Sequence, residues 1–246
     1  MDDFSDLTHA DLWRVRATGD GPSAAAAAAE MAARERLHFR GEPLDIYDDS
    51  MRPAGVKDRG LVHLDGDWHR SFHCWLVAPA RGTLLLQRRS QAKDTNPGRL
   101  DTTAAGHYRS GEGPREGCRE TEEELGLRLD PARLVPIGRA VDSARHGYLI
   151  DREVADVFLY LTDADLTDLR LDPAEVAEVL EVGAVQALAL FTGEVAAAQA
   201  RAWRPGTAPR PVLIHLDEFT LHHDRHYARV ALQAQRLLRG EAPLPL

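Results

Sequence analysis

The sequence predicts an α/β protein, and three observations support this class. Short stretches alternate apolar and polar residues as β-strands do, and the apolar run 84–86 is typical of a strand buried on both faces. A segment with helix start and stop signals, 114–125, interrupts the series of strands. The segment 219–238 carries an apolar stripe at Tyr227, Val230, Leu232 and Leu237 and predicts a last helix.

The remaining elements follow in chain order. Alternation or short apolar runs predict strands at 44–47, 72–77, 83–87, 134–141, 153–161 and 176–182. Asp65-Gly66 is a strong turn signal and predicts a short strand on either side of it. Segment 142–151 is the predicted hairpin. Segment 185–202 favours a helix interrupted near Thr192-Gly193, and 204–211 is a predicted loop.

Two regions are predicted from composition. Residues 1–40 are expected to be an N-terminal extension, partly helical or disordered, because the alanine run 24–29 is of low complexity and leads into helix-prone sequence. Residues 41–246 are expected to form the main domain, which ends in the C-terminal helix.

The overall composition favours a globular protein that acts on small molecules. Of its 246 residues, 43% are hydrophobic and 28% charged, which is ordinary, and the net charge of −9 disfavours a nucleic-acid polymer as partner. No apolar run reaches membrane-spanning length, so no membrane partner is expected. Two cysteines, Cys74 and Cys118, do not make a disulfide framework, which favours a cytoplasmic location.

The predicted helix 114–125 has clear ends. Gly113 is a suitable N-cap, and Pro114 occupies the first helical position, where its missing N–H costs nothing. Gly126 follows the last turn and is suited to a left-handed conformation.

The same helix carries the densest group of acids in the chain. At 100° per residue Glu120, Glu123 and Glu124 share one face, and Arg119 is placed to pair with Glu123. Crowded carboxylates repel one another unless a cation lies among them, and hard oxygen ligands suit Mg²⁺ or Mn²⁺. A solvated acidic helix is the alternative interpretation.

Residues 106–127 resemble the Nudix box, whose pattern is G-x5-E-x7-R-E-U-x-E-E-x-G-U, with U an aliphatic residue. The matching residues are Gly106, Glu112, Arg119, Glu120, Glu123, Glu124, Gly126 and Leu127. There are two departures: six residues rather than seven separate Glu112 from Arg119, and Thr121 replaces the aliphatic residue. The deletion falls in the loop and first turn, so it shifts Glu112 and leaves the metal face intact.

The likeness extends over roughly residues 42–186, and stretches 63–70, 82–90 and 97–107 resemble the isopentenyl-diphosphate-isomerase-like branch of Nudix proteins. Bacterial Nudix hydrolases and the N-terminal domain of some plant Nudix hydrolases share this pattern. The resemblance implies the Nudix fold, a mixed β-sheet sandwiched between α-helices. It also implies a metal-dependent hydrolase that cleaves a diphosphate linkage in a nucleoside-diphosphate-type or other organic diphosphate.

The resemblance assigns roles to individual residues. The groups expected to hold Mg²⁺ or Mn²⁺ are Glu120, Glu123, Glu124 and the carbonyl of Gly106 or its neighbour Ala105. Arg119 is expected to position a glutamate. Glu175 is the candidate general base, with Glu178 and Glu120 as alternatives. A basic loop beside the metal face is expected to contact the phosphates through Arg88, Arg89 and Lys93, although solvated side chains are an equal alternative.

Two further expectations follow from the isomerase-like branch. The isomerase needs a reactive cysteine before its Gly-His; Ala105 stands there in this chain and cannot transfer a proton, so isomerisation is expected to be absent. The isomerase also holds a divalent metal with three histidines and two acids, and the matching positions are His63, His69, His107, Asp151 and Glu153. Hydrogen-bonded histidines without a metal are the alternative. A non-catalytic nucleotide-binding regulator and a homodimer also stay open.

Overall fold

The computed structural model describes residues 41–93, 95–146, 149–220, 222 and 225–242, so the predictions for 1–40 lie outside the described residues. The strands are β1 Pro43–Tyr47, β2 Pro53–Asp58, β3 Trp68–Ala78, β4 Thr83–Arg89, β5 Leu100–Asp101, β6 Ala104–His107, β7 Val135–His146, β8 Leu149–Leu161, β9 Val176–Gly183, β10 Ala197–Trp203 and β11 Arg210–His215. The helices are α1 Arg59–Asp65, α2 Pro114–Gly117, α3 Arg119–Leu125, α4 Ala184–Thr192 and α5 His226–Leu238. Short 3-10 turns occupy Pro79–Arg81, Pro131–Arg133, Leu166–Asp168 and Leu216–Glu218.

The chain forms two compact units. The first contains residues 41–70, 107–111, 141–146 and 149–154, and the second contains 71–93, 95–106, 112–140 and the described residues from 155 onward. In the first unit β1 pairs with β2 in antiparallel register, with Asp45 opposite Val56, and Tyr47 pairs with Trp68. The strand β2 was not predicted.

The helix α1 corrects the prediction of a strand before Asp65-Gly66. The Asp58 side chain caps its start by accepting from the Gly60 amide at 2.9 Å. Gly66 ends it in a left-handed conformation, with φ 75°, and donates to the Val62 carbonyl. The dipeptide is therefore a helix C-terminus, and a local signal that suits a hairpin turn serves here as a helix cap.

The second unit is built on a sheet with strand order β11-β10-β9-β4-β3, in which β5 pairs with β4, and β6 and β8 pair with β3. Leu84 and Leu86 of β4 point to one face and pack with α4 and α5, whose Ala187, Leu190 and Val230 are buried there. On the opposite face Gln87 of β4 contacts Glu124 of α3. The predicted α/β class, a mixed sheet between helices, is thus confirmed.

A fork opens between β3 and β4. Their register runs through Val77↔Leu84 and Ala78↔Thr83, and beyond it β4 pairs instead with β5, Gln87 opposite Asp101. Thr103 closes the base of this fork, because its hydroxyl accepts from the Leu76 amide at 3.1 Å and donates to the Leu85 carbonyl. The segment that leads into the acidic helix therefore lies inside the fork.

The acidic helix has the predicted ends but consists of two segments. Gly113 is the N-cap of α2, and Gly126 ends α3 with φ 65°. The segments meet at Cys118, whose carbonyl accepts a hydrogen bond from the Thr121 amide, three residues on, at 3.2 Å. This spacing is that of a 3-10 turn.

Other predicted boundaries differ from the structure. Only the first half of the predicted helix 185–202 is helical; the alanine-rich second half is β10, because pairing with β9 and β11 overrides its helix propensity. The predicted hairpin 142–151 is mostly strand, since β7 and β8 extend into it. The last helix begins at His226 rather than 219, because Phe219 and Thr220 pair with Leu100.

Within the last helix, Tyr227 and Val230 are buried as predicted, but Leu232 is exposed. None of the helices in the described ranges combines the length and apolar character needed to cross a membrane.

Candidate active site

In the second unit the backbone of Gly106 and the carboxylate of Glu120 lie in close contact. The Glu120 carboxyl group lies against Gly106, so that a Cβ added to this glycine would meet all three carboxyl atoms at less than 3.0 Å. Glu120 is 8% exposed. Glycine is thus required here for space, and the predicted pairing of Gly106 with the acidic face is present.

Arg119 organises the neighbouring carboxylates. Its guanidinium donates to Glu112 at 2.9 and 3.0 Å, to Glu120 at 2.5 Å and to Glu123 at 3.1 Å. The predicted contact with Glu123 is confirmed. Glu112 keeps a position beside Arg119 although the loop is one residue shorter than the box pattern, because the loop absorbs the deletion.

Glu124 is the most deeply buried of these acids. Its Oε2 atom accepts from the Gln87 side chain at 3.3 Å and faces the Ala105 amide at 3.4 Å. Burial, and then the charge of Glu120, raise the pKa of Glu124 well above its usual value. Glu120 and Glu124 repel each other when both are ionised, so a cation bound between them would stabilise the charged form of both.

Gln87 was not predicted to belong to the site. In the sequence Gln87 is a polar residue at the end of the apolar run of β4, and this position does not reveal which residue its side chain contacts. The position of Gln87 along β4 places its side chain on the sheet face that α3 covers.

The acidic segment before β9 is fixed to the same helix. The backbone amides of Arg170 and Asp172 donate to the carbonyls of Leu125 and Glu124 at the end of α3, at 2.8 and 3.0 Å. Glu175, farther along this segment, forms an ion pair with Lys93. The structure therefore brings the candidate base and one predicted basic residue together beside α3.

The other two predicted basic residues already have carboxylate partners. Arg88 pairs with Glu218 at 2.9 Å and with Glu178 at 3.5 Å. Arg89 pairs with Asp101 at 3.3 Å and also donates to the Thr95 carbonyl. Their contact with phosphates remains a prediction.

The first unit contains a separate group of possible metal ligands. One ring nitrogen of each of His63, His69 and His107 lies within 4.8 Å of the others, and His69, Asp151 and Glu153 form a second such trio. The three ring centroids are 4.8 to 5.0 Å apart. All five predicted residues of this set are thus brought together.

Burial determines the electrostatics of the histidine group. Nε2 of His69 and Oδ1 of Asp151 are buried without a hydrogen-bond partner among the described residues, 3.5 Å apart. Burial, then the charge of His69, lowers the pKa of His63 to about 3, and burial with Glu153 raises that of Asp151 to about 6. Neutral imidazoles are metal ligands, so the donor set fits a divalent cation.

Comparison with known proteins gives consistent matches. The NUDIX domain model matches residues 67–203, more than half of the chain. An uncharacterised Nudix hydrolase of Clostridium acetobutylicum is 38% identical over 57% of this chain and 69% of that protein. Nudix hydrolase 3 of Arabidopsis thaliana is 38% identical over 48% of this chain, which spans only 16% of the plant protein. An isopentenyl-diphosphate Delta-isomerase of Saccharopolyspora erythraea is 33% identical over 55% of this chain and 71% of that protein.

Proposed function

We propose, because the chain belongs to the Nudix family, that it is a metal-dependent hydrolase that cleaves the diphosphate linkage of a small organic diphosphate. The membership agrees with the Nudix fold expected from the sequence, a mixed sheet between helices. The observation that carries the proposal is the burial of Glu120 and Glu124 against Gly106 and Ala105, with Arg119 as the fixed cation beside them.

These residues fit Mg²⁺ or Mn²⁺ because they are hard oxygen donors in a crowded site. Glu120, Glu123, Glu124 and the Gly106 carbonyl would hold the metal, which when bound neutralises phosphate charge and acidifies water. Arg119 keeps the carboxylates in position through its three glutamate contacts. Gln87 orients Glu124 from the sheet side.

The function is tested by separating and quantifying the products formed with Mg²⁺ or Mn²⁺ from nucleoside diphosphates, sugar nucleotides, dinucleoside polyphosphates, and prenyl and thiamine diphosphates. Cleavage of a sugar nucleotide yields two phosphomonoesters, whereas cleavage of a terminal diphosphate yields a monophosphate and inorganic phosphate. We expect hydrolysis of at least one class and no isomerisation of isopentenyl diphosphate, since Ala105 cannot transfer a proton. Tight binding of one compound without turnover would instead support a regulator, and isomerisation would support the isomerase.

We also propose that Glu175 is the general base. The Lys93 ammonium fixes its carboxylate, and the backbone bonds of Arg170 and Asp172 attach its segment to α3. A positioned base contributes about 10²–10⁴-fold to a rate. Glu175→Gln is therefore expected to lower kcat at least about a hundredfold, with KM changed far less, in steady-state assays on the best substrate.

Glu178→Gln is the matched control for this substitution. Its carboxylate pairs with Arg88 and Arg210, at 3.5 and 2.6 Å, on the face that carries α4 and α5. We expect kcat to stay within about threefold of wild type, because Glu178 lies on the face opposite α3 and a glutamine can still accept hydrogen bonds from these arginines. Thermal denaturation reports any loss of stability from weakening this buried ion pair separately. A larger loss for Glu178→Gln than for Glu175→Gln would assign the base to Glu178.

The histidine group of the first unit is proposed to be a second divalent-metal site, made of His63, His69, His107, Asp151 and Glu153. Metal analysis of full-length protein after incubation with Mn²⁺ or Zn²⁺ and desalting tests it. His107→Ala is expected to retain about one ion per chain fewer than wild type, because three-histidine sites lose affinity steeply when a ligand is removed.

The control for the metal analysis is His215→Ala. His215 is exposed, and its ring nitrogen lies 3.2 Å from the Ala196 carbonyl, so this substitution is expected to leave the metal content unchanged. Identical metal content in His107→Ala and wild type, for every metal tried, would remove the second site from consideration.

A further inference from the structure

One ammonium group in the first unit holds the turn that joins two of the candidate metal ligands. His63 lies in α1 and His69 lies in β3, and the turn between them contains Asp65 and Asp67. Lys57 of β2 donates to Oδ2 of Asp65 at 3.1 Å and to Oδ2 of Asp67. We call Lys57, Asp65 and Asp67 the lysine clamp. The chemistry proposed above assigns no role to it.

The two histidines use the same ring nitrogen for a backbone contact. Nδ1 of His63 lies 2.8 Å from the Arg59 carbonyl, and Nδ1 of His69 lies 3.1 Å from the Asp67 carbonyl. A carbonyl oxygen only accepts hydrogen bonds, so each Nδ1 carries the proton and each neutral ring keeps a lone pair on Nε2. The two Nε2 atoms lie 3.8 and 3.5 Å from Oδ1 of Asp151. Both lone pairs therefore face the other candidate ligands.

Asp67 connects the lysine clamp to the His69 ring. Its carboxylate accepts from Lys57, while its backbone carbonyl accepts from Nδ1 of His69. A displacement of Asp67 therefore displaces or rotates this ring. Partners of this kind fix the orientation of metal-binding histidines, and their loss typically costs about 10–100-fold in metal affinity.

Asp65 connects the same ammonium group to α1. It is the last residue of the helix, and the amides of Gly66 and Asp67 both donate to the Val62 carbonyl, at 2.8 and 3.0 Å. His63 follows Val62 in this final turn. The lysine clamp therefore fixes the helix end that carries one histidine relative to the start of the strand that carries the other.

Lys57 is itself held in place by its strand. In the ladder of β1 and β2 it lies opposite Leu44, a side chain that is fully buried. The next residue, Asp58, caps the start of α1. The side chains of the lysine clamp are only 25% to 26% exposed. An exposed single ion pair contributes little to stability, whereas one cation that bridges two partly buried carboxylates restricts the chain between them.

We propose that Lys57 is a positioning residue of the histidine group. By bridging Asp65 and Asp67 it sets the turn between His63 and His69, so that their Nε2 atoms converge on one divalent cation. The inference rests on the second divalent-metal site proposed above, and it adds to that site a residue that contributes no ligand atom.

Cobalt titration of the full-length protein tests the inference, with Mg²⁺ in excess to occupy the acidic residues of α3. The visible absorption of bound Co²⁺ reports its coordination geometry, and the difference between wild type and His107→Ala isolates the ion held by the histidine group. We expect Lys57→Met to weaken this binding about tenfold or more and to alter the absorption spectrum. Lys57→Arg keeps the charge and is expected to retain most of the affinity and the wild-type spectrum.

The sign of the change separates positioning from charge. Removing an ammonium group near a cation lessens repulsion, so a purely electrostatic role would make Lys57→Met bind Co²⁺ more tightly. Arg52→Met is the matched control, because Arg52 pairs with Asp48 at 3.0 Å in the same unit and its side chain is 77% exposed. This variant is expected to keep the affinity and the spectrum of wild type.

Asp67→Asn is the second variant, since it weakens the contact with Lys57 and keeps the carbonyl that accepts from His69. It is expected to weaken Co²⁺ binding, and the double variant is expected to bind no more weakly than Lys57→Met, because both changes remove one interaction. If Lys57→Met does not fold, an unchanged affinity of Asp67→Asn decides against the inference.

Thermal denaturation of the metal-free proteins separates a structural role from a positioning role. A lower unfolding temperature of Lys57→Met with the Co²⁺ affinity and spectrum of wild type would overturn the inference, and so would tighter binding. In both cases the second metal site would still stand. Equal Co²⁺ binding by wild type and His107→Ala would overturn that site, and the role of Lys57 with it.

Discussion

Glu124→Gln is expected to lower kcat/KM by roughly a thousandfold, because a metal contributes several kcal/mol of charge stabilisation and each 1.36 kcal/mol is tenfold in rate. Glu124 is 4% exposed and lies in contact distance of Gln87 and Ala105. The fold is expected to survive, since burial and Glu120 already disfavour the charged form of this side chain. Steady-state kinetics and thermal denaturation of the same preparation measure both effects.

Glu122→Gln is the matched control for this experiment. Glu122 is an exposed residue of the same helix, α3, so the substitution removes the same charge without touching the buried site. Its kcat/KM is expected to stay within about twofold of wild type, as for most surface changes. If Glu124→Gln kept more than a tenth of wild-type activity, Glu124 would not be a metal ligand.

Gly106→Ala is expected to reduce activity about a hundredfold or more, because a displacement of about 1 Å at a catalytic group costs this much. The added Cβ would lie within 3.0 Å of the Glu120 carboxyl group, which must then move away from Arg119. Metal affinity is expected to fall with it. Titration of the unfolding temperature with Mg²⁺ or Mn²⁺ and kinetic assays measure the two losses.

Gly113→Ala separates this steric effect from a general intolerance of larger residues near the helix. Its Cβ would meet only the Glu116 carboxylate at 3.7 Å, an ordinary contact, and its φ of −139° suits any residue. Activity is expected to change less than about threefold, in the range of a lost N-cap preference. Equal losses in Gly113→Ala and Gly106→Ala would argue against a specific role for the Gly106 approach.

The parts of the fold that local chemistry determines were predictable from sequence. The ends of the acidic helix are specified by Gly113, Pro114 and Gly126, each acting within one turn. The strand β10 was not predictable, because its alanines favour a helix and only pairing with β9 and β11 makes them extended. The interpretation of Asp65-Gly66 was limited in a similar way. The dipeptide suits a hairpin turn, but it follows a helix, α1, that the Asp58 side chain caps seven residues earlier.

The same distinction applies to the site. Helical periodicity placed Glu120, Glu123 and Glu124 on one face, and the box pattern identified Arg119 and Gly106. Gln87 and Glu124 come from a strand and a helix that are 37 residues apart in sequence, so strand register and helix packing decide their contact. No spacing rule predicts such contacts from a single chain.

The fork between β3 and β4 has a consequence for protein engineering. A ladder of backbone bonds usually fixes the separation of two strands, but here the Thr103 hydroxyl bridges Leu76 and Leu85. At this point the separation of the two strands is therefore set by a side chain. A substitution can change that side chain, whereas it leaves a ladder of backbone hydrogen bonds in place. Thr103 is thus a single position at which a substitution would change the separation of β3 and β4 without altering a carboxylate.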